Sequence, residues 1–214
     1  YSYAHVPWKS KGQRRYTEKD LPTAEQKWAM YNRGRELLLA QGFNAIGMDH
    51  FALQNDKLWQ AASQGKMHRN FMGYTTTQNK LIVGLGASSI SDSWNAFIQN
   101  EKEVEAYIER IEKGELPITI SHLNDEEDLM YRKHILDLMC KGSTTLDIEK
   151  IDVSFLNSIH ENLRSMQTDG LVKIEGNKIM VTELGNTFIR NICSVLDAHL
   201  WKKNNVEKIF SKAI

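Results

Sequence analysis

Apolar and small positions alternate over the first six residues, Tyr1-Ser-Tyr-Ala-His-Val6, which reads as a buried strand closed by Pro7. Trp8 to Leu21 is polar and basic, with Lys9, Lys11, Arg14 and Arg15, and reads as a loop. From Thr23 the period changes to that of a helix: Trp28, Tyr31 and Leu38 recur on one face, Thr23 and Gln26 have the spacing of a capping box, and Gly42 after Gln41 supplies the stop. Phe43-Asn-Ala-Ile-Gly-Met48 follows as a short apolar strand. Strand, helix and strand in this order predict a βαβ unit with parallel strands and a right-handed crossover. Ligands of such sheets and barrels bind beyond the carboxyl ends of strands, which draws attention to His5 and to Asp49-His50-Phe51-Ala52.

Further along, Asn55 to Gln64 reads as a short helix ended by Gly65, while Met67 to Thr77 is neither periodic nor loop-like and has the look of a site. Leu81 to Ala87 is an apolar strand broken by Gly84 and Gly86, and Ser88 to Asp92 a turn of small residues where backbone can approach a ligand. Glu101 to Lys113 is an exposed, charged helix, and Gly114 with Pro117 marks a boundary between residues 1–114 and 115–214. The second part opens on a capping pattern, Asn124-Asp-Glu-Glu127, and a helix to Cys140 that stops at Gly142. Ser154 to Thr168 is helical, Leu171 to Ile174 and Lys178 to Val181 flank the turn Glu175-Gly-Asn177, and Thr182 caps a long helix through Leu200. Helix, hairpin and helix resemble a winged-helix arrangement.

Composition narrows the function classes. Of 214 residues, 41% are hydrophobic and 25% charged, as in soluble globular proteins, and 27 Lys+Arg balance 27 Asp+Glu. With no global field toward polyanions, neither nucleic acid nor a membrane is an expected partner. The two cysteines, Cys140 and Cys193, exclude a disulfide framework and any cysteine-ligated cluster built from this chain alone, and point to the reducing cytoplasm. No apolar run reaches the eighteen residues of a membrane span. A monomer is expected, although with no apolar helix face conspicuously unpaired the sequence itself gives no signal on oligomeric state. The chain opens on a strand-like run without Met, and a strand at residue 1 needs neighbours from earlier sequence, so it reads as the C-terminal portion of a longer protein.

Candidate chemistry is sparse. His5 at a strand end could serve as ligand or proton donor. Asp49 and His50, as strand neighbours, point to opposite faces and are not expected to pair. Arg69 between His68 and Asn70 could clamp a carboxylate or phosphate. Gly84-Leu-Gly86 is half of a dinucleotide fingerprint and does not support nicotinamide binding. The segment ahead of the wing, with Asp152, His160, Glu161, Arg164 and Asp169, has no cationic face for a major groove. Ser-His-Asp order, Walker loop and His-Glu-x-x-His are all absent from the sequence.

Tyr3-Ala4-His5, Ile46-Gly-Met-Asp-His-Phe-Ala52 and His68-Arg-Asn-Phe-Met-Gly-Tyr-Thr-Thr76 together resemble the oxygen-independent coproporphyrinogen III oxidase (dehydrogenase) family, HemN. Gly84-Leu-Gly-Ala-Ser-Ser-Ile-Ser91 and the tail, from Asp169-Gly-Leu-Val172 through Val181-Thr182 and Gly185 to Ile189-Arg-Asn-Ile-Cys193, extend the likeness to the family's second half. The resemblance implies a radical S-adenosylmethionine (SAM) enzyme of haem biosynthesis that converts two propionates of coproporphyrinogen III to vinyls by oxidative decarboxylation. It also implies an α/β fold: the last βα elements of a partial (β/α) radical-SAM barrel over 1–114, then a mainly helical C-terminal domain with a winged-helix-like β-hairpin over 115–214. The family's Cys-x-x-x-Cys-x-x-Cys motif, which holds a [4Fe-4S] cluster, is missing, so this chain is expected to hold no metal ligand or catalytic residue of its own and to be inert without the N-terminal half of the same protein. Ala4 and Ile90 match family positions that contact SAM. Met72 stands where some members have Gln, and a thioether cannot replace an amide's two-way hydrogen bonding. Coproporphyrinogen III carries four carboxylates, and Arg14, Arg15 and Arg69 are candidate clamps by charge and location. The rival expectations are a haem chaperone of the HemW branch, which lacks the His-Arg-Asn-Phe-x-Gly-Tyr-Thr-Thr run, and a winged-helix binding protein.

Overall fold

The computed structural model describes residues 4–202. Of the opening strand expected over 1–6, the first three residues lie outside this range; Ala4 to Val6 is irregular, with the Val6 N–H donating to Gln13 Oε1 at 2.6 Å. Two short 3-10 turns, Lys11–Arg15 and Glu18–Asp20, lead into helix α1 (Ala24–Ala40). Its start is the expected capping box: the Thr23 hydroxyl accepts from the Gln26 N–H at 3.3 Å and Gln26 Oε1 accepts from the Thr23 N–H at 2.9 Å. No residue of α1 is buried. The helix is fastened to the rest by Trp28, stacked 5.7 Å from Phe188, and by an Arg35–Glu183 ion pair of 3.1 Å.

Strands β1 (Asn44–Gly47) and β2 (His50–Ala52) pair with each other, antiparallel, from Asn44 opposite Ala52 to Gly47 opposite His50, while the parallel partner expected for β1 over 1–6 lies partly outside the described residues. So short a connection between β1 and β2 allows only antiparallel pairing. Met48 makes the turn at φ 52°. Every strand pairing among the described residues is antiparallel. Helix α2 (Lys57–Ser63) follows, capped by the Asp56 carboxylate, and then a hairpin of β3 (His68–Asn70) and β4 (Gly73–Thr75) with Arg69 opposite Tyr74.

Leu81 to Ala87 is not the expected strand. It keeps one bridge, Ile82 to Asp92, and leaves Leu81, Val83 and Leu85 exposed, because the segment bends over Asn100 instead of running along an edge. The strand lies further on: β5 (Ile90–Asp92), expected as a turn, pairs with β6 (Ala96–Asn100), which pairs after helix α3 (Val104–Glu112) with β7 (Ile118–Leu123). This sheet, ordered β5-β6-β7, crosses residue 114 and ties the two parts of the chain together.

Helix α4 (Glu126–Lys141) starts at Asp125, one residue after the expected cap, in a capping box with Asp128, and ends at Gly142 with φ 70°, a left-handed cap that glycine adopts without strain. Strand β8 (Ser143–Thr145), a 3-10 turn at Ile148–Lys150 and helix α5 (Val153–Thr168) precede β9 (Val172–Glu175) and β10 (Lys178–Val181), in a sheet ordered β8-β10-β9. The long helix expected from Thr182 is three short ones: α6 (Glu183–Thr187), α7 (Ile189–Ser194) and α8 (Ala198–Lys202). Phe188 breaks it at φ −105° and ψ 19°, with its ring turned outward onto Trp28. No helix among the described residues is long and apolar enough to cross a membrane.

The core belongs to the second part. Leu138 of α4, Ile159 and Leu163 of α5, Val172, Ile179, Ile192 and Leu196 are all sealed from solvent. Truncating Leu138, 1% exposed, removes packing from a site that cannot collapse fully. Leu138→Ala is expected to cost about 3 kcal/mol, read as a lower denaturant midpoint with unchanged slope.

His134 is fully buried beside this core, its Nδ1 2.8 Å from the Thr144 hydroxyl and its Nε2 unpartnered. Burial holds its pKa below the ordinary 6.5, so the unfolded chain takes up this proton first as pH falls. The stability gained from keeping His134 neutral is complete above pH 6.5 and is lost as pH drops from there toward the lower folded-state pKa, with a slope approaching about 1.4 kcal/mol per pH unit. His68, shifted down by burial and by Arg132, acts in the same direction. Thermal melts are expected to fall as pH is lowered through this window, and to fall less steeply in His134→Gln.

Candidate functional site

A cavity of about 540 Å³ opens between the β3–β4 hairpin, the β5–β7 sheet, helix α4 and the chain joining α7 to α8. Its apolar wall is made by Phe71, Phe97, Ile135, Leu136, Met139 and Leu196. Its polar groups include two arginines, Arg69 and Arg132, whose surroundings differ.

Arg132, on α4, is engaged. It donates to Asp92 Oδ2 at 2.5 Å and to the Trp94 carbonyl at 2.9 Å, and its guanidinium lies 4.3 Å from the ring centre of Trp94 and 4.6 Å from that of Phe97. Asp92 Oδ1 also accepts from the Trp94 N–H at 2.8 Å, which holds Trp94 at φ 68°, a conformation rare for an aromatic residue. Removing either charge would leave the other nearly buried and unpaired.

Arg69 is not so engaged. The β3–β4 pairing sets it across from Tyr74, whose ring its guanidinium covers at 4.7 Å, while its Nη1 is buried without a hydrogen-bond partner. The hairpin is anchored to α4 by Tyr74, whose hydroxyl donates to the Met139 carbonyl at 3.2 Å. Burial pushes the Tyr74 phenol up to about 12 despite the nearby Arg69 charge, so it stays a donor and cannot neutralise the arginine. Arg69 lines the cavity with no carboxylate partner among the described residues, and its planar fork suits a carboxylate or phosphate.

On the same cavity, three side chains from three elements converge. His122 of β7 and His199 of α8 each place Nε2 2.7 Å from a different oxygen of the Asp128 carboxylate on α4. The two rings meet edge to face with centres 5.3 Å apart. Partial burial opposes ionisation of Asp128, but hydrogen bonds from His199, His122 and the Asp125 N–H outweigh it and hold the carboxyl below the usual carboxylate range. Sequence reading missed this cluster: Asp128 sits three residues past a helix cap, and 71 residues separate it from His199.

The expected site residues meet different fates. Arg69 lines the cavity, whereas Arg14 and Arg15 sit on the exposed 3-10 turn, with Arg14 Nε donating to the Pro7 carbonyl at 3.1 Å. Ala4 is exposed, its carbonyl accepting from Gln13 Nε2 at 3.1 Å, and Ile90 pairs with Gln99 in β5; neither lines the large cavity. Gly84 passes so close to Ile90 that an added Cβ would lie 2.8 Å from its carbonyl, so the Gly84 to Ile90 run folds back on itself, held by Asn100 Nδ2 bonds to the Gly84 and Gly86 carbonyls at 3.3 and 3.0 Å. Met72 lies at the hairpin tip, 88% exposed, while Phe71 beside it packs edge-on against Phe97. His5 is half-buried in the irregular opening segment, not at a strand end. Asp49 and His50, expected not to pair, are 3.0 Å apart: Asp49 sits in the turn before β2, so strand alternation does not separate the two, although the contact lacks hydrogen-bond alignment.

No family model matches the chain. Whole-sequence relatives do. Over its full length it is 35% identical to the oxygen-independent coproporphyrinogen III oxidase of Pseudomonas aeruginosa, 33% to that of Synechocystis sp. and 34% to that of Thermostichus vulcanus, spanning 47%, 48% and 67% of these proteins. Among solved structures it is similar to "Coproporphyrinogen III oxidase (HemN) from Escherichia coli is a Radical SAM enzyme", with a TM-score of 0.82 and 31% identity over 92% of this chain and 46% of that one. The fold is therefore that of part of a radical SAM enzyme with mixed α/β content. The chain belongs to the oxygen-independent coproporphyrinogen III oxidase family. It spans about half the length of most of the curated relatives it matches.

The iron–sulfur cluster that a radical SAM fold implies does not fit the thiols of this chain. Burial pushes Cys140 up to about 11 and Cys193 up to about 12, so neither is a thiolate at neutral pH, and two thiols fall short of the family's three. With a thiol-reactive dye in the native state, Cys193 is expected to stay unmodified and Cys140 to react more slowly than a free thiol; both react at once in denaturant. Fast native labelling of Cys193 would contradict its burial.

Proposed function

We propose that this chain is the C-terminal, substrate-side part of an oxygen-independent coproporphyrinogen III oxidase, and that its cavity receives propionate carboxylates of coproporphyrinogen III. The observation that carries the reading is Arg69, a half-buried arginine that lines the cavity without a carboxylate partner among the described residues, on the hairpin built from the His68–Thr76 run that the sequence shares with the family. The apolar wall would take the macrocycle edge while Arg69 fixes one carboxylate, an arrangement of few polar groups in an apolar pocket. The haem-chaperone reading has no comparable observation in its favour.

In this reading residues 1–114 complete the partial (β/α) barrel and 115–214 form the helical domain, with the β5–β7 sheet as the seam; the order β8-β10-β9 after α4 supports a winged-helix-like module used for structure. The N-terminal half of the same protein supplies the cluster cysteines and covers the exposed apolar residues of the first part, among them Leu37, Leu81, Val83 and Leu85. Ala4 and Ile90 are proposed to contact SAM from the edge facing that half, and Arg14 and Arg15 to be secondary carboxylate contacts. The reaction is the oxidative decarboxylation of two propionates to vinyls, in the cytoplasm, and these 214 residues alone do not perform it. This chain's own contribution is to bind and orient a carboxylate and to keep water from it.

The test is the full-length enzyme bearing Arg69→Ala, assayed anaerobically with coproporphyrinogen III. Loss of a charge-assisted hydrogen bond is expected to raise KM by roughly ten- to a hundredfold, with a smaller change in kcat and partial recovery in Arg69→Lys. Unchanged KM and kcat would remove Arg69 from the substrate site.

A further inference from the structure

We propose that His122, Asp128 and His199 form a binding site for a divalent transition metal of the zinc class at the mouth of the cavity. Their ligand atoms all lie within 4.8 Å of one another, one from each side chain. Two imidazoles and one carboxylate are the ligand set of open zinc sites, in which three protein groups leave a fourth position for water or a ligand.

Three features favour the site over a chance encounter of surface side chains. First, the three residues stand on a strand and two helices, so only the tertiary fold unites them, and independent contacts hold that fold: Lys202 on α8 pairs with Glu127 at 3.2 Å, and Asn124 after β7 donates to the Trp94 carbonyl at 2.7 Å. Second, both imidazoles aim the same nitrogen, Nε2, at the two oxygens of one carboxylate, the position a metal ion would take in place of their protons. Third, side-chain motion reaches the geometry. Tetrahedral zinc with bonds of about 2.0–2.2 Å sets its ligand atoms roughly 3.3 Å apart, so the two 2.7 Å His–Asp pairs open slightly while the widest pair, within 4.8 Å, closes. The rings have that freedom, with side chains 46% and 58% exposed, while Asp128, 15% exposed, is fixed by the Asp125 N–H. Glu126 in the same helical turn adds negative charge, while Glu127 is offset by Lys202. The open coordination position would face the cavity and suits a carboxylate or water.

The proposal stands apart from the role given to Arg69 and is tested on the chain without substrate. Chelator-treated protein is titrated calorimetrically with Zn²⁺, and with Co²⁺ as an optical probe. The expected result is one equivalent bound with micromolar or tighter affinity, together with the visible absorption of four- or five-coordinate Co²⁺. His122→Ala and His199→Ala should each weaken binding about tenfold or more. His199 lies on an exposed terminal helix, so His199→Ala keeps the test available should His122→Ala disturb the β7 edge; metal-free melting temperatures report on folding. Failure to bind Zn²⁺, or binding that survives in the His122→Ala/His199→Ala double variant, would overturn the site. Intact Zn²⁺ binding with a failed Arg69 assay would leave the metal site standing and remove only the substrate reading.

Discussion

Arg132 is the group on which the two parts of the chain are hinged together. A guanidinium and a carboxylate buried this far lose much hydration, and their mutual attraction offsets that loss only if the remaining polar atoms are also satisfied. Here they are: Arg132 bonds both Asp92 and the Trp94 carbonyl, its faces lie on Trp94 and Phe97, and Asp92 takes the Trp94 N–H as well. The arrangement fixes β5 and the β5–β6 turn against α4. Because β6 is in register with both neighbours, β7 follows, and His122 is delivered to the helix at Asp128, four residues and about one turn before Arg132. The cavity is thus a consequence of how one ion pair seats a small sheet on a helix.

Burial is distributed unevenly, and that unevenness suits the position of the cavity. Behind α4 lies a close-packed core, with Leu138, Ile159, Leu163, Ile179, Ile192 and Leu196 sealed from water; in front stands a hairpin held by the Tyr74 hydroxyl and by ring contacts of Tyr74 with His50, His68 with Trp94 and Phe71 with Phe97. A ligand entering on that side meets side-chain contacts and leaves the packing that sets stability undisturbed. The first part of the chain, by contrast, buries few of its apolar side chains, and α1 rests on local capping, an ion pair and one ring stack.

Helices bounded by polar caps were readable from sequence, since Thr23 with Gln26, and Gly142 or Gly65 as stops, act within one turn of the chain they control. The hairpin around Glu175-Gly-Asn177 was readable for the same reason. What failed depended on distance. The apolar run Leu81 to Ala87 has strand composition but a single bridge to one neighbour, while β6 and β7 are strands because they find each other across α3. The antiparallel partner of β1 was missed because pairing belongs to whatever lies beside a strand, and its own four residues do not encode that. The break at Phe188 answers to Trp28, far away in sequence. Of the site, Arg69 was legible because it sits inside a recognisable run; Asp92, Arg132, His122 and His199 were not, because no spacing rule links positions joined only by folding.

The cavity is polar in an asymmetric way. Two arginines line it, but Arg132 is cancelled by Asp92, which leaves Arg69 as the arginine of this lining without a carboxylate partner, and elsewhere on the same lining Asp128 gathers two imidazoles. Without a metal, that second pole is acidic and would repel a second carboxylate. With a divalent ion on the triad it becomes a carboxylate receptor, and the cavity then presents two such receptors across one apolar space. That pattern selects a ligand whose body is apolar and whose acids stand at its edge, with the separation between acids read by the distance between the poles. Affinity for any one carboxylate stays modest in this arrangement, and discrimination comes from satisfying both ends at once.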